Sequence, residues 1–330
     1  MKQFPILLLL IWTAWCASCT PASKDHPHAM RMAEACMETS PDSAWTWLQG
    51  IADSIPHLPE EIQMHYHLLL LQAEDLLYDF HTSDSLVNSL VTYFDAQGEK
   101  PKRIQAYYLK GKVYADMHDA PQALEAYQQA LDLAAGQSHW ETTIYQEMYQ
   151  LFANQGLHND ALRTNKHLLR IYEAQNNLSQ TALIQRNMAR LFHQKEEKDS
   201  ALYYFRQAGH SALAVADSAT YYEMLAEQAS ILYETEGTEQ AFPLLEKTAH
   251  REDILDKSNI HFLLSQIYAD REQWDSAHYY NLKVVESGNI EKTYYSYRNL
   301  HALEKRKGNY TKALEYMEKA LESRNLLQTI

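Results

Sequence analysis

Cysteine is almost absent from this sequence: Cys16, Cys19 and Cys36 are the three in 330 residues. The first two fall in an apolar N-terminal stretch. The body of the chain therefore keeps one thiol and has no intrachain disulfide to staple it. Cys36, in the apolar stretch 29–37, reads as a small buried side chain, so stability has to come from packing. Glycine and proline number nine each, too few for a loop-rich chain and suited to helices joined by short turns. Positive charge is also short, with 29 Lys and Arg against 43 Asp and Glu and a net charge of −14. An acidic body repels phosphate rather than releasing counterions from it, which excludes nucleic acid as a partner. Long apolar runs are missing beyond residue 15. Within 57–80, HLPEEIQMHYHLLLLQAEDLLYDF, the run 68–71 is four leucines long. That is a buried helix and not a membrane span.

The motifs of catalysis are missing too. There is no H-E-x-x-H, no G-x-S-x-G and no glycine-rich phosphate loop. Cys16-x-x-Cys19 matches a redox pair in letters only. His65 and His67 stand two apart, which sends their rings to different sides of a helix. His26 and His28 flank Pro27 on a short polar segment, a weak metal site. The expectation is a protein that is not an enzyme and needs neither cofactor nor metal.

What is present begins with residues 1–19, MKQFPILLLLIWTAWCASC. Lys2 gives a positive start, residues 4–15 are apolar, and Ala17 and Ser18 precede Cys19. Twelve apolar residues are too few to span a bilayer. The pattern resembles a bacterial lipoprotein signal, which implies cleavage before Cys19 and acylation of its sulfur; an ordinary secretory peptide is the alternative. Three segments follow: 1–18 as signal peptide, 19–28 as lipidated cysteine and tether, and 29–330 as the folded body. Several acyl chains would anchor the body stably to a membrane.

The body is repetitive. Residues 106–133, AYYLKGKVYADMHDAPQALEAYQQALDL, read as two amphipathic helices around a tight turn. Gly111 and Ala123 are small where the helices must approach, Tyr107 and Tyr114 share one face, and Tyr127 and Ala130 another. Asp119 stands where an N-cap is needed, ahead of Pro121. The spacing Gly111-x11-Ala123-x3-Tyr127-x2-Ala130 resembles the tetratricopeptide repeat (TPR). Ala189, Ala201, Phe205 and Ala208 repeat it, and Tyr149/Ala161, Ala229/Ala241, Ser265/Ala277 and His301/Ala313 repeat it more loosely. Ala44 and Leu86 open two earlier second helices. These second-helix positions recur every 36–42 residues, against about 34 for the family, so either the turns or the helices are longer. The resemblance implies an all-α, TPR-like solenoid of seven to eight antiparallel helix pairs in a right-handed superhelix. The recurring Asp-Ser pairs at Asp42, Asp84, Asp199 and Asp275 read as N-caps of second helices. Tyr310–Leu327 reads as a polar-faced helix closing the stack.

In TPR proteins the first helices line a concave face. The resemblance places there Tyr108 and Lys112, Gln146 and Gln150, Arg186 and Arg190 with Asn187 beside them, Ala226 and Ser230, Phe262 and Gln266, and Arg298 and Ala302. Two arginines four apart share one helical face and can grip a carboxylate together. They can equally pair with Glu147 or Glu227 on adjacent units. The whole is similar to TPR lipoproteins of Bacteroidetes. It implies a protein- or peptide-binding scaffold held to the cell envelope, with two rivals, a sensory input module and a glycan-binding lipoprotein.

Overall fold

The computed structural model describes residues 27–328, with Asp79, Gly98 and Leu255 excepted. The expected signal peptide, Cys19 and most of the tether lie outside the described residues. Those described form sixteen α-helices and one 3-10 turn, with no strand among them. Two compact units divide the chain at Ile144 and Tyr145.

The first unit contains α1 (His28–Cys36), α2 (Pro41–Gln49), α3 (Glu60–Leu76), α4 (Ser85–Gln97), α5 (Lys100–Asp116) and α6 (Ala120–Ala134). Helix α3 shows how a repeat serves two neighbours. Tyr66, Leu69 and Ala73 join Met30, Ala33 and Leu48 of α1 and α2 in one core. Leu68 and Leu71, on the adjoining stripe, join Leu90 and Phe94 of α4 and Leu109 and Val113 of α5 in another. The expected helix over 57–80 is shorter at both ends: a 3-10 turn carries Pro56 and ends at His57, and α3 starts at Glu60 and stops at Leu76. Cys36 is partly exposed rather than buried.

The second unit follows, with α7 (Ser138–Asn154) crossing the division. It contains α8 (His158–Ala174), α9 (Leu178–Gln194), α10 (Lys198–Ala214), α11 (Ser218–Thr235), α12 (Thr238–Ala249), α13 (Ser258–Asp270), α14 (Trp274–Glu286), α15 (Ile290–Arg306) and α16 (Tyr310–Leu327). The small residues do what the spacing predicts. Ala189 of α9 and Ala201 of α10 are both fully buried, in one core with Phe205 and Ala208. The long period is explained by the helices, because the turns are short. From α7 to α10, helices of 17 residues alternate with three-residue turns.

One motif closes most of these turns. Asp119 N–H donates to Tyr114 C=O (2.8 Å) and His118 N–H to Ala115 C=O (3.0 Å), the paired bonds that satisfy the last carbonyls of a helix. The same pair recurs at Asn177 and Asn176, Glu197 and Glu196, Asp217 and Ala216, Gln273 and Glu272, and Asn309 and Gly308. The first-bonded residue of each pair is also the N-cap of the next helix. This corrects the expected caps. Asp119, Asn177, Asp217 and Asn289 do cap, accepting from the N–H three residues on. Asp42, Asp199 and Asp275 sit two positions after the N-cap, inside the first turn, and make no such bond. They still face the positive end of the helix dipole. Asp84 instead accepts from Tyr114 Oη at 2.9 Å, tying α4 to α5.

Candidate functional site

The first helices of the second unit, α9, α11, α13 and α15, line a groove. Its main cavity, about 620 Å³, is walled by Arg190 of α9, Glu223, Ala226, Glu227, Ser230 and Tyr233 of α11, and Asn259, Phe262, Leu263 and Gln266 of α13, with Lys292 of α15. Ile254 and Asp256 contribute from the loop between α12 and α13. A second cavity of about 280 Å³ shares Tyr233 and Gln266 with the first and extends to Asn281, Asn299, Ala302 and Arg306. Apolar surface from Ala226, Phe262 and Leu263 is thus interleaved with amides and charges, the lining that a peptide requires for both its side chains and its backbone.

The charges are organised in pairs. Arg190 Nη2 lies 2.9 Å from Glu227 Oε1, and Arg186 Nη1 lies 3.8 Å from Glu223 Oε2. Each arginine of α9 therefore meets a carboxylate of α11, and the expected partner Glu227 is one of them. Lys198 Nζ holds Glu234 at 3.1 Å. Exposed pairs of this kind contribute only about 0–1 kcal/mol, so a ligand carboxylate or ammonium can exchange with them at little cost. Tyr233 donates to Asp270 Oδ2 at 2.7 Å. Burial, and then that bond and the neighbouring carboxylate charge, push its hydroxyl pKa well up. It stays a neutral donor throughout the physiological range. Asp256 is held below the usual carboxylate range by its hydrogen bonds from Ser258, with Lys292 adding a smaller effect.

The sequence-predicted lining divides between the two units. Arg190, Ala226, Ser230, Phe262, Gln266 and Ala302 lie on the cavities. Arg186 stands one turn from Arg190 with Asn187, half-exposed, beside it. Gln146 donates to Tyr172 Oη at 3.0 Å, tying α7 to α8, and Gln150 is exposed. In the first unit, the Tyr108 ring lies 5.7 Å from Trp140, and Lys112 Nζ is 3.3 Å from Asp75. Sequence reasoning missed Tyr233, Asp256 and Lys292. Tyr233 is one turn beyond Ser230 on the same stripe, a signal available from spacing. Asp256 comes from a loop without repeat phase and had none.

Another concavity, about 550 Å³, lies on α8 and α9 with Arg163, Lys166 and Lys195. Arg163 is engaged by Asp160, and Lys195 by Glu197 at 2.7 Å, and it lacks the continuous length of the groove. No group of three or more His, Cys, Asp or Glu among the described residues is arranged to hold a metal ion. No described helix is long and apolar enough to cross a membrane.

No family model matches the sequence, and no curated protein matches it. Solved structures do. A signal-transduction ATPase of the STAND type with a tetratricopeptide-repeat sensor, from Pyrococcus horikoshii, is similar over 90% of this chain at 14% identity and a TM-score of 0.67. The fold is an all-α, TPR-like solenoid. This chain spans 46% of that ATPase, under half its length. RapI in its apo form is similar over 81% of this chain and 100% of its own, at 12% identity and a TM-score of 0.56. Aspartyl phosphate phosphatase F from Bacillus subtilis is similar over 91% of this chain and 94% of its own, at 13% identity and a TM-score of 0.53. Identities this low speak for the TPR-like architecture alone.

Proposed function

We propose that this TPR-like protein is a scaffold whose second unit binds an extended or helical segment of a partner protein in the groove of α9, α11, α13 and α15. The observation that carries the reading is the continuous lining from Arg190 to Arg306, in which apolar surface alternates with amide and charged groups. Arg186 and Arg190 take carboxylates of the segment by exchanging them for Glu223 and Glu227. Gln266 and Asn299 face its backbone, and Phe262 takes an apolar side chain.

The test uses a photo-crosslinking amino acid placed in cells at Phe262 and, as a control, at Tyr203 on the exposed side of α10. A partner captured from position 262 and not from 203 is the expected result. Its affinity for a folded Arg186→Ala/Arg190→Ala variant should fall about ten- to a hundred-fold, the loss of a charge-assisted hydrogen bond. Identical products from both positions, or unchanged affinity, would remove the groove from the binding reaction.

The same proposal places the body at a bacterial envelope through acylated Cys19, supported by the order of Lys2, the apolar run and the small residues before it. Cys19→Ala should abolish incorporation of radiolabelled palmitate and release the protein from the membrane fraction, whereas Cys16→Ala should leave both unchanged. Label entering the Cys19→Ala variant at the wild-type level would end the anchor assignment.

A further inference from the structure

Helix α16, expected as a polar-faced helix closing the stack, exposes an apolar line beside its charged one. It packs on α15 through Ala313, Tyr316 and Ala320, which are buried. On the adjoining stripe Tyr310, Leu314, Met317 and Leu321 are 70%, 61%, 38% and 45% exposed. Their spacings of four, three and four put them on a single line along the helix.

These positions have counterparts inside the stack. Leu314, Met317 and Leu321 stand one, four and eight residues after the small residue Ala313. In α10 the first two counterparts, Leu202 and Phe205 after Ala201, are buried in one core with Met224 and Ile231 of the following helix, α11. In α12 the last two, Leu245 and Ala249 after Ala241, are buried against Ile260, Leu264 and Ile267 of α13. The exposed stripe of α16 is therefore the surface that elsewhere in this unit receives the next first helix. A repeat buries that face only by stacking on a neighbour.

The internal interfaces also describe the occupant. The arriving helix offers apolar residues at i, i+4 and i+7: Ile260, Leu264 and Ile267 on α13, or Ile184, Met188 and Leu191 on α9. On one edge of the α16 stripe, Glu315, Glu318 and Glu322 are exposed and share a helical line. Lys312 and Lys319 point elsewhere, over the rings of Tyr316 and Tyr297. With a net charge of −14 on the chain, this edge opposes a second copy of the protein and favours a cation.

We infer that the outer face of α16 is a docking surface for a cationic amphipathic helix of a partner protein, seated as first helices are on second helices inside this unit. The protein's own first helices supply matched probes. The peptide 178–194 carries the Ile184, Met188, Leu191 stripe with Arg186 and Arg190 and no acid. The peptide 218–235 carries Met224 and Ile231 with Glu223, Glu227 and Glu234 and no base. Labelled 178–194 should bind the intact protein saturably by fluorescence anisotropy, with 218–235 about ten-fold weaker or worse. Leu314→Glu/Leu321→Glu, both exposed positions checked for unchanged helicity, should weaken 178–194 about ten-fold or more, while Tyr203→Ala, on the exposed side of α10, should leave it bound. Equal affinity of the two peptides would overturn the cationic partner. Equal binding to the Leu314→Glu/Leu321→Glu variant would overturn the site. A wild-type dimer in sedimentation that this variant abolishes would show that the face belongs to a second copy, and would likewise overturn the proposal.

Discussion

Gly111→Ala should destabilise the first unit by about 1–3 kcal/mol, the usual cost of forcing extra carbon into a packed core. A methyl group at Gly111 would come within 2.8 Å of Tyr127 Cζ and closer still to the ring carbons beside it. The ring is fully buried and has no room to swing away. The loss should appear as a lower denaturation midpoint in urea, followed by the fluorescence of Trp140, whose indole lies 5.7 Å from Tyr108 next to that ring. Gly111→Ala/Tyr127→Leu should recover part of the loss, because the shorter side chain leaves space for the methyl. If the single variant matches wild type, α5 and α6 do not approach through Gly111 as described.

Ala201→Trp should be more damaging and should stay local. Ala201 has no exposed surface and packs in one core with Ala189, Phe205 and Met224. An indole there has to separate α9 from α10, at a cost at or beyond the upper end of about 1–3 kcal/mol. Repeats contact mainly their neighbours, so the disturbance is confined by the architecture. Hydrogen exchange should show protection lost in α9, α10 and α11 and kept in α3 to α6. Uniform loss along the chain would mean that the repeats unfold as one cooperative body.

The two variants sit at positions legible in the sequence, because a small residue where two helices cross is a steric requirement that survives degeneration of the rest of a repeat. Ala44, Ala123, Ala161, Ala201, Ala241, Ala277 and Ala313 are all buried where the spacing puts them. The groove was legible for the same reason at Arg190, Ala226, Ser230, Phe262 and Gln266, which keep a fixed phase to those small residues. The sequence misled where several local solutions share one composition. Asp next to Ser at a helix start suits an N-cap and a first-turn acid equally, and only the turn before it decides. At Asp199 and Asp275 the paired-bond turn hands the N-cap position to Glu197 and Gln273, and neither makes a side-chain cap. Helix α16 misled differently. Its Lys and Glu content reads as a solvated face, and the apolar line beside it keeps the spacing of the lines buried in α10 and α12, so periodicity alone does not tell that it is exposed.

The helix lengths in the second unit carry a consequence for how such a groove can change. Helices α7 to α10 have 17 residues, and α13 and α14 have 13. The difference is four residues, close to the 3.6 of one helical turn, so the shorter helices keep their packing faces within about 40° of the same direction. A change of two would have rotated the packing face to the opposite side. Other helices of the unit depart from this step, with 18 residues in α11 and 12 in α12. The main cavity lies beside α13, where a turn is missing and Ile254 and Asp256 enter from the preceding loop. The recess lies where the repeat is about one turn shorter, so adding a turn at the start of α13 should displace that loop and narrow the cavity.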